Sequence, residues 1–298
     1  PAPRDAPRPT RDYLETYGAF FIHCGGLSMG NPGPDDRHPL HGELPNLPYD
    51  SAVLAFGEDA SGRYVELSGA ASVARAFSHH LVARPRIRLR ENATEVEAAI
   101  AVENRAVRPL PFLYLAHVNF QPADGAVLHD AGPDDGPEIA IRKPKLAEDT
   151  REAVRAYHDR IAARPSAHRT IAAGVPVEPE LVLTMRLPAG PDGWTHAVQR
   201  RPDGSADFIS YRPDELPFAV RWMTRDGDQD ALGIVLPATA PPDGLAAARR
   251  HGQLVMVPSG GRFAATLRFG ALEATAAAAM SDRIDAIRVG AGRGEIEA

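Results

Sequence analysis

Through most of the chain, short runs of alternating apolar and polar residues are closed by Pro, Gly or Asp, the pattern of strands with one buried face. The clearest is a hairpin in which residues 86–89 and 95–102 flank Glu91-Asn92-Ala93-Thr94. Further strands are predicted over 64–67, 113–120, 181–187, 194–198, 207–211, 218–222, 232–236, 254–257 and 263–269. In the last of these Phe263, Ala265, Leu267 and Phe269 share a face. Helical spacing replaces alternation over 148–163, where Val154, Tyr157 and Ile161 recur and Asp149 or Thr150 can cap the first turn. The Ala-rich stretch 272–280 is a second candidate helix. The pattern predicts an all-β, mainly antiparallel protein with one or two peripheral helices, as a single domain over 1–298 with an extended arm over 1–15.

Composition narrows the class of partner. At 298 residues the chain is long enough for one large β domain. A net charge of -6 argues against nucleic acid, whose phosphates call for clustered Lys and Arg. The single cysteine, Cys24, has no internal disulfide partner, so a reducing cytoplasmic location is expected. No apolar run reaches the length of a membrane span, and the Pro/Arg-rich start lacks the apolar core of a signal peptide. The missing initiator Met is expected to mark a processed or trimmed start. An exposed sheet edge would let two copies pair, so a homodimer is among the expected partners.

Two histidine-bearing segments carry the candidate chemistry: His38-Pro-Leu-His41-Gly-Glu43, and Tyr114-Leu-Ala-His117-Val-Asn119-Phe120 at the end of an apolar run. Imidazoles brought together from two segments can donate and accept protons near neutral pH. An alternative groups His41, Glu43 and His117 with His23 or His38 as imidazole and carboxylate ligands for zinc, iron or manganese. Pro39 rules out a zincin-type helix for His38 and His41. Ordinary roles stand beside these: Glu43 as a loop carboxylate or partner of Arg37, His23 packed under a sheet, Trp222 in a core, and Cys24 as an inert buried thiol.

The order of several blocks resembles one family. Phe21-Ile-His23-Cys24-Gly25-Gly26-Leu27, Asn31-Pro-Gly33, Leu40-His41-Gly42 and Pro45-Asn46-Leu47-Pro48 are similar to the front half of aldose 1-epimerase-like (galactose mutarotase-like) proteins. In particular they resemble the branch classed as a domain of unknown function. His117-Val-Asn119-Phe120 is similar to that family's histidine strand. Leu216-Pro-Phe218 through Arg221-Trp222 to Leu236-Pro-Ala-Thr239, with Val257-Pro-Ser-Gly260, completes the series.

The resemblance implies a large β-sandwich whose concave face binds a monosaccharide or a sugar-derived small molecule, and an isomerase that needs no cofactor. By the same resemblance His117 is the acid toward the ring oxygen and His41 positions the sugar, while His23, Asn119, Arg221 and Trp222 are candidate sugar contacts. Two departures stand out: Pro258-Ser-Gly-Gly-Arg262 holds no carboxylate where the family has its base, a glutamate, and Leu236 occupies a position where this branch commonly has glutamate. Glu43, in place of the usual arginine, is then the candidate base if 41–43 is extended, so that residues 41 and 43 share a face. A non-catalytic sugar-binding protein, or a metal-dependent lyase or isomerase on the same scaffold, remains the alternative reading.

Overall fold

The computed structural model describes residues 13–294. They fall into two compact units, one made of 13–117 with Ala238–Thr266 and the other of Val118–Pro237 with the chain from Leu267 onward. Of the predicted arm, residues 1–12 lie outside the described residues, and the rest enters a helical turn, α1 (Tyr13–Thr16).

In the first unit the chain runs through β1 (Phe21–Gly26), β2 (Ser51–Asp59), β3 (Gly62–Arg75), β4 (His79–Arg90), β5 (Glu95–Asn104) and β6 (Leu110–Val118). β2 to β5 form an antiparallel meander. The expected hairpin is its β4–β5 turn, where Asn92 takes φ +59°, a left-handed conformation that Asn tolerates. Register makes this meander two-faced. Leu54 pairs with Leu67 and Leu67 with Ile87, while Phe56 pairs with Val65 and Val65 with Leu89. The opposite face carries Arg88 bonded to Glu66 (2.6 Å) and Arg86 bonded to Glu97 (2.9 Å). At the β2 side the apolar face is open: Phe56 is 80 % and Leu54 61 % exposed.

The second unit continues with β7 (Val127–Asp130), β8 (Ala140–Ile141), α2 (Glu152–Ala163), β9 (Val177–Met185), β10 (Thr195–Arg200), β11 (Ala206–Tyr211), β12 (Phe218–Arg225) and β13 (Ala231–Ala238). The chain then returns to the first unit with α3 (Leu245–Arg250) and β14 (Val255–Val257), and ends with β15 (Arg262–Leu272) and α4 (Ala274–Gly294). In the second unit β13-β12-β9-β8 belong to one sheet and β15-β11-β10-β7 to another. The predicted cap of α2 is corrected: the helix starts after Arg151, whose side chain makes no capping bond. The second predicted helix proves to be α4, whose Ala277, Ile284 and Ile287 recur at helical spacing and pack with Val198 and Phe208.

The core of the second unit contains charge. Asp130, fully buried on β7, accepts from Arg221 of β12 (2.7 Å) and from Arg169 (3.1 Å). Burial alone would raise the Asp130 pKa, and the two guanidinium charges more than offset it, holding the group below the usual carboxylate range. Breaking such a pair strands a buried ion. Arg221→Met is therefore expected to cost about 3 kcal/mol, read as a lower urea midpoint with an unchanged slope; an unaltered midpoint would show that Arg169 alone satisfies Asp130.

Candidate active site

The site is built in the first unit from β1, the loop after it, and β6. Gly25 at the end of β1 lies so close to β6 that a Cβ there would stand 2.1 Å from the Leu113 carbonyl oxygen. Its N–H donates to the His41 carbonyl (2.8 Å), and its own carbonyl accepts from the N–H groups of Glu43 and Leu44 (both 2.9 Å). The loop therefore folds back onto β1. His41 has φ +60° and Gly42 φ +81°, and a Cβ on Gly42 would meet the Ser28 carbonyl oxygen at 2.2 Å. A non-glycine residue in the left-handed region is held there by its surroundings, a frequent trait of functional positions.

This turn brings His41 to His117. Their ring centroids are 5.5 Å apart and the planes meet at 87°. His117 is 3 % exposed on β6. Two tyrosines from the N-terminal segment close around the pair: Tyr13 lies 4.6 Å from the His41 ring and 6.2 Å from that of His117, and Tyr17 meets His117 edge-on at 6.1 Å. Sequence reasoning missed both tyrosines. The one-turn aromatic spacing Tyr13 to Tyr17 was the available signal, but Tyr13 lay within the segment expected to be an arm.

Glu43 does not share a face with His41, because the backbone at 41–42 is turned rather than extended. Its Oε2 accepts from the Leu27 N–H (2.9 Å) and its Oε1 from the Ser28 hydroxyl (3.0 Å). Burial raises its pKa while these bonds from Ser28 and Leu27 act in the opposite direction. The residue braces the turn after β1. The remaining candidate metal ligands diverge as well. His23 bonds through Nδ1 to the Tyr114 hydroxyl (2.7 Å), whereas His38 accepts from the Leu245 N–H at the start of α3 (3.4 Å). Among the described residues no group of three or more His, Cys, Asp or Glu side chains is placed to hold a metal ion.

The other candidate sugar contacts belong to the second unit and have partners of their own. Arg221 is 1 % exposed and bonded to Asp130 and to the Ile234 carbonyl (2.9 Å). The Trp222 indole N–H donates to Glu180. Asn119 is half-buried just beyond β6. Cys24 is fully buried, and burial pushes its thiol pKa up, away from the reactive thiolate.

Comparison with known proteins places this geometry in a fold. A "putative aldose 1-epimerase" from Klebsiella pneumoniae superposes with TM-score 0.80 at 16% identity, covering 95% of this chain and 71% of its own. A galactose mutarotase-like protein from Clostridium acetobutylicum gives 0.55 at 10% identity, covering 84% and 78%. Another from Lactobacillus casei gives 0.51 at 13% identity, covering 84% of each chain. The fold is thus the mainly antiparallel, mutarotase-like β-sandwich, and at these identities the likeness speaks to fold alone. No curated protein matches the chain. No helix among the described residues is long and apolar enough to cross a membrane. The model of the domain of unknown function DUF4432 matches residues 1–271, so the chain belongs to the DUF4432 family.

Proposed function

We propose that the protein interconverts the anomers of a monosaccharide or sugar-derived small molecule, with His117 and His41 moving the protons. The observation that carries this reading is the pair of imidazoles from two chain segments, 5.5 Å apart and set at right angles. One imidazole takes the proton of the anomeric hydroxyl while the other gives a proton to the ring oxygen. The ring C–O bond breaks, the resulting aldehyde rotates, and closure on its other face reverses both transfers. Tyr13 and Tyr17 hold the rings and exclude water. Glu43 is a positioning residue here, since its carboxylate oxygens are bonded to the turn that sets His41.

Saturation-transfer NMR across neutral and acidic aldoses tests the proposal. Wild type is expected to accelerate anomer exchange for at least one sugar, with a loss of about 10²–10⁴-fold in His117→Gln. Exchange no faster than in buffer for every sugar would overturn it. Saturable sugar binding without acceleration would instead identify a sugar-binding protein.

A further inference from the structure

β2 is the free edge of the meander. It ends the strand order β2-β3-β4-β5, and every one of its residues except Gly57 is exposed. The register shows which of its backbone groups lie open. The Glu91 N–H donates to the Arg63 carbonyl (2.9 Å), so Arg63 bonds toward β4, and by alternation Tyr64, Glu66 and Ser68 bond toward β2. These three pair with Gly57, Ala55 and Val53. The N–H and C=O groups of Ala52, Leu54, Phe56 and Glu58 therefore point away from β3, along the open edge. Edges that avoid pairing carry Lys, Pro, a bulge or an inward charge. β2 has no Lys or Pro and keeps an unbroken register with β3, and its charges, Glu58 and Asp59, stand only at the turn.

A second copy of the chain fits this edge in one antiparallel register. With a two-fold axis at Ala55, Leu54 lies opposite Phe56 of the other copy, so residues whose backbone groups point outward exchange hydrogen bonds. On the apolar face, the row Leu89, Val65 and Phe56 then continues into Leu54, Leu67 and Ile87 of the other copy. Side chains left open in the single chain gain cross-strand apolar neighbours. On the opposite face Ala55 meets its own equivalent, and Val53 comes to lie opposite Gly57. The Tyr64 ring covers that glycine, 2.6 Å from where a Cβ would stand, and gives Val53 an aromatic surface to pack on.

Charge selects the same register. Glu58 and Asp59 fall opposite Ala52 and Ser51, so no like charges face each other across the axis. Moving the axis to Leu54 would set Glu58 against Asp50, and moving it to Phe56 would set Leu54 against Glu58; both arrangements are unfavourable. We infer that the protein forms a two-fold dimer in which β2 pairs with β2 of a second copy, with Ala55 at the axis. The histidine pair and its chemistry play no part in this inference.

Sedimentation equilibrium on the full chain tests it. Wild type is expected to reach the mass of two chains reversibly, with a Kd of about 10 µM, because a single-strand edge lies at the small end of specific interfaces. Leu54→Lys with Phe56→Lys sets like charges across the axis and should weaken association by about 100-fold or more. Leu54→Glu with Phe56→Lys sets opposite charges there instead, and should associate at least about tenfold more tightly than the double-lysine variant. Both positions are exposed in the single chain, so the urea midpoint is expected to stay near that of wild type. A wild type still monomeric at about 100 µM would overturn the inference. So would a dimer that persists in the double-lysine variant, or two double variants that associate alike.

Discussion

Between pH 7 and pH 5 the protein is expected to lose about 6 kcal/mol of folding free energy, most of a typical domain's stability. The source is three histidines buried in neutral form. Burial lowers the pKa of His23 to about 4, of His168 to about 3 and of His196 to about 4. In the unfolded chain each titrates near 6.5. Within this window the unfolded state binds more protons, so the stabilisation is fully present above pH 6.5 and falls as the pH drops toward 4, by about 2 kcal/mol per histidine at pH 5. The depressed pKa of Asp130 acts in a different window, because its contribution is lost only below the pKa of an unfolded aspartate. Urea unfolding at a series of pH values measures the effect, and His168→Leu should flatten the slope by about a third. A urea midpoint constant from pH 7 to 5 would show that these histidines are protonated, and paired, in the folded state.

His41→Asn is expected to lower anomer exchange by about 10²–10⁴-fold while leaving the melting temperature within a few degrees of wild type. The two effects separate because His41 is held at φ +60°. Asn occupies the left-handed region more readily, a gain of about 1 kcal/mol or less that offsets the lost ring contact with Tyr13. Activity with sugar and thermal unfolding, measured on the same preparation, decide the matter. A melting temperature that collapses along with activity would make His41 a structural element of the turn. Full activity in the variant would remove it from the chemistry.

How far these features could be read from sequence depended on whether the information was local. The β4–β5 hairpin was legible because alternation and a turn asparagine lie within a few residues of each other. By contrast, β2 was missed: Ser51-Ala-Val-Leu-Ala-Phe-Gly-Glu-Asp59 is exposed on nearly every residue and so carries little alternation to detect. α3 was missed because its first N–H groups are satisfied by His38 and by Asp36, which accepts from Ala246 at 2.9 Å, both about two hundred residues away in sequence. The family resemblance, rather than spacing, singled out His41 and His117 as a pair. The Tyr13 and Tyr17 contacts and the commitment of Arg221 to Asp130 are tertiary facts, for which a single sequence gives no register.

The first unit is assembled from two stretches separated by the whole of Val118–Pro237. Its strand β6 depends on the later stretch: the Tyr114 N–H donates to Thr239 Oγ1 (2.9 Å), the Thr239 N–H returns a bond to the Tyr114 carbonyl (2.9 Å), and β14 pairs along Leu110 to Phe112. During synthesis, at about 5–20 residues per second, β6 therefore waits on the order of ten seconds for these partners after leaving the ribosome. For that interval the nascent chain carries Leu110-Pro-Phe-Leu-Tyr-Leu-Ala with part of its hydrogen bonding unmet. Vectorial folding from the N-terminus is unavailable to this unit, and its histidine strand is completed only as the last quarter of the chain emerges.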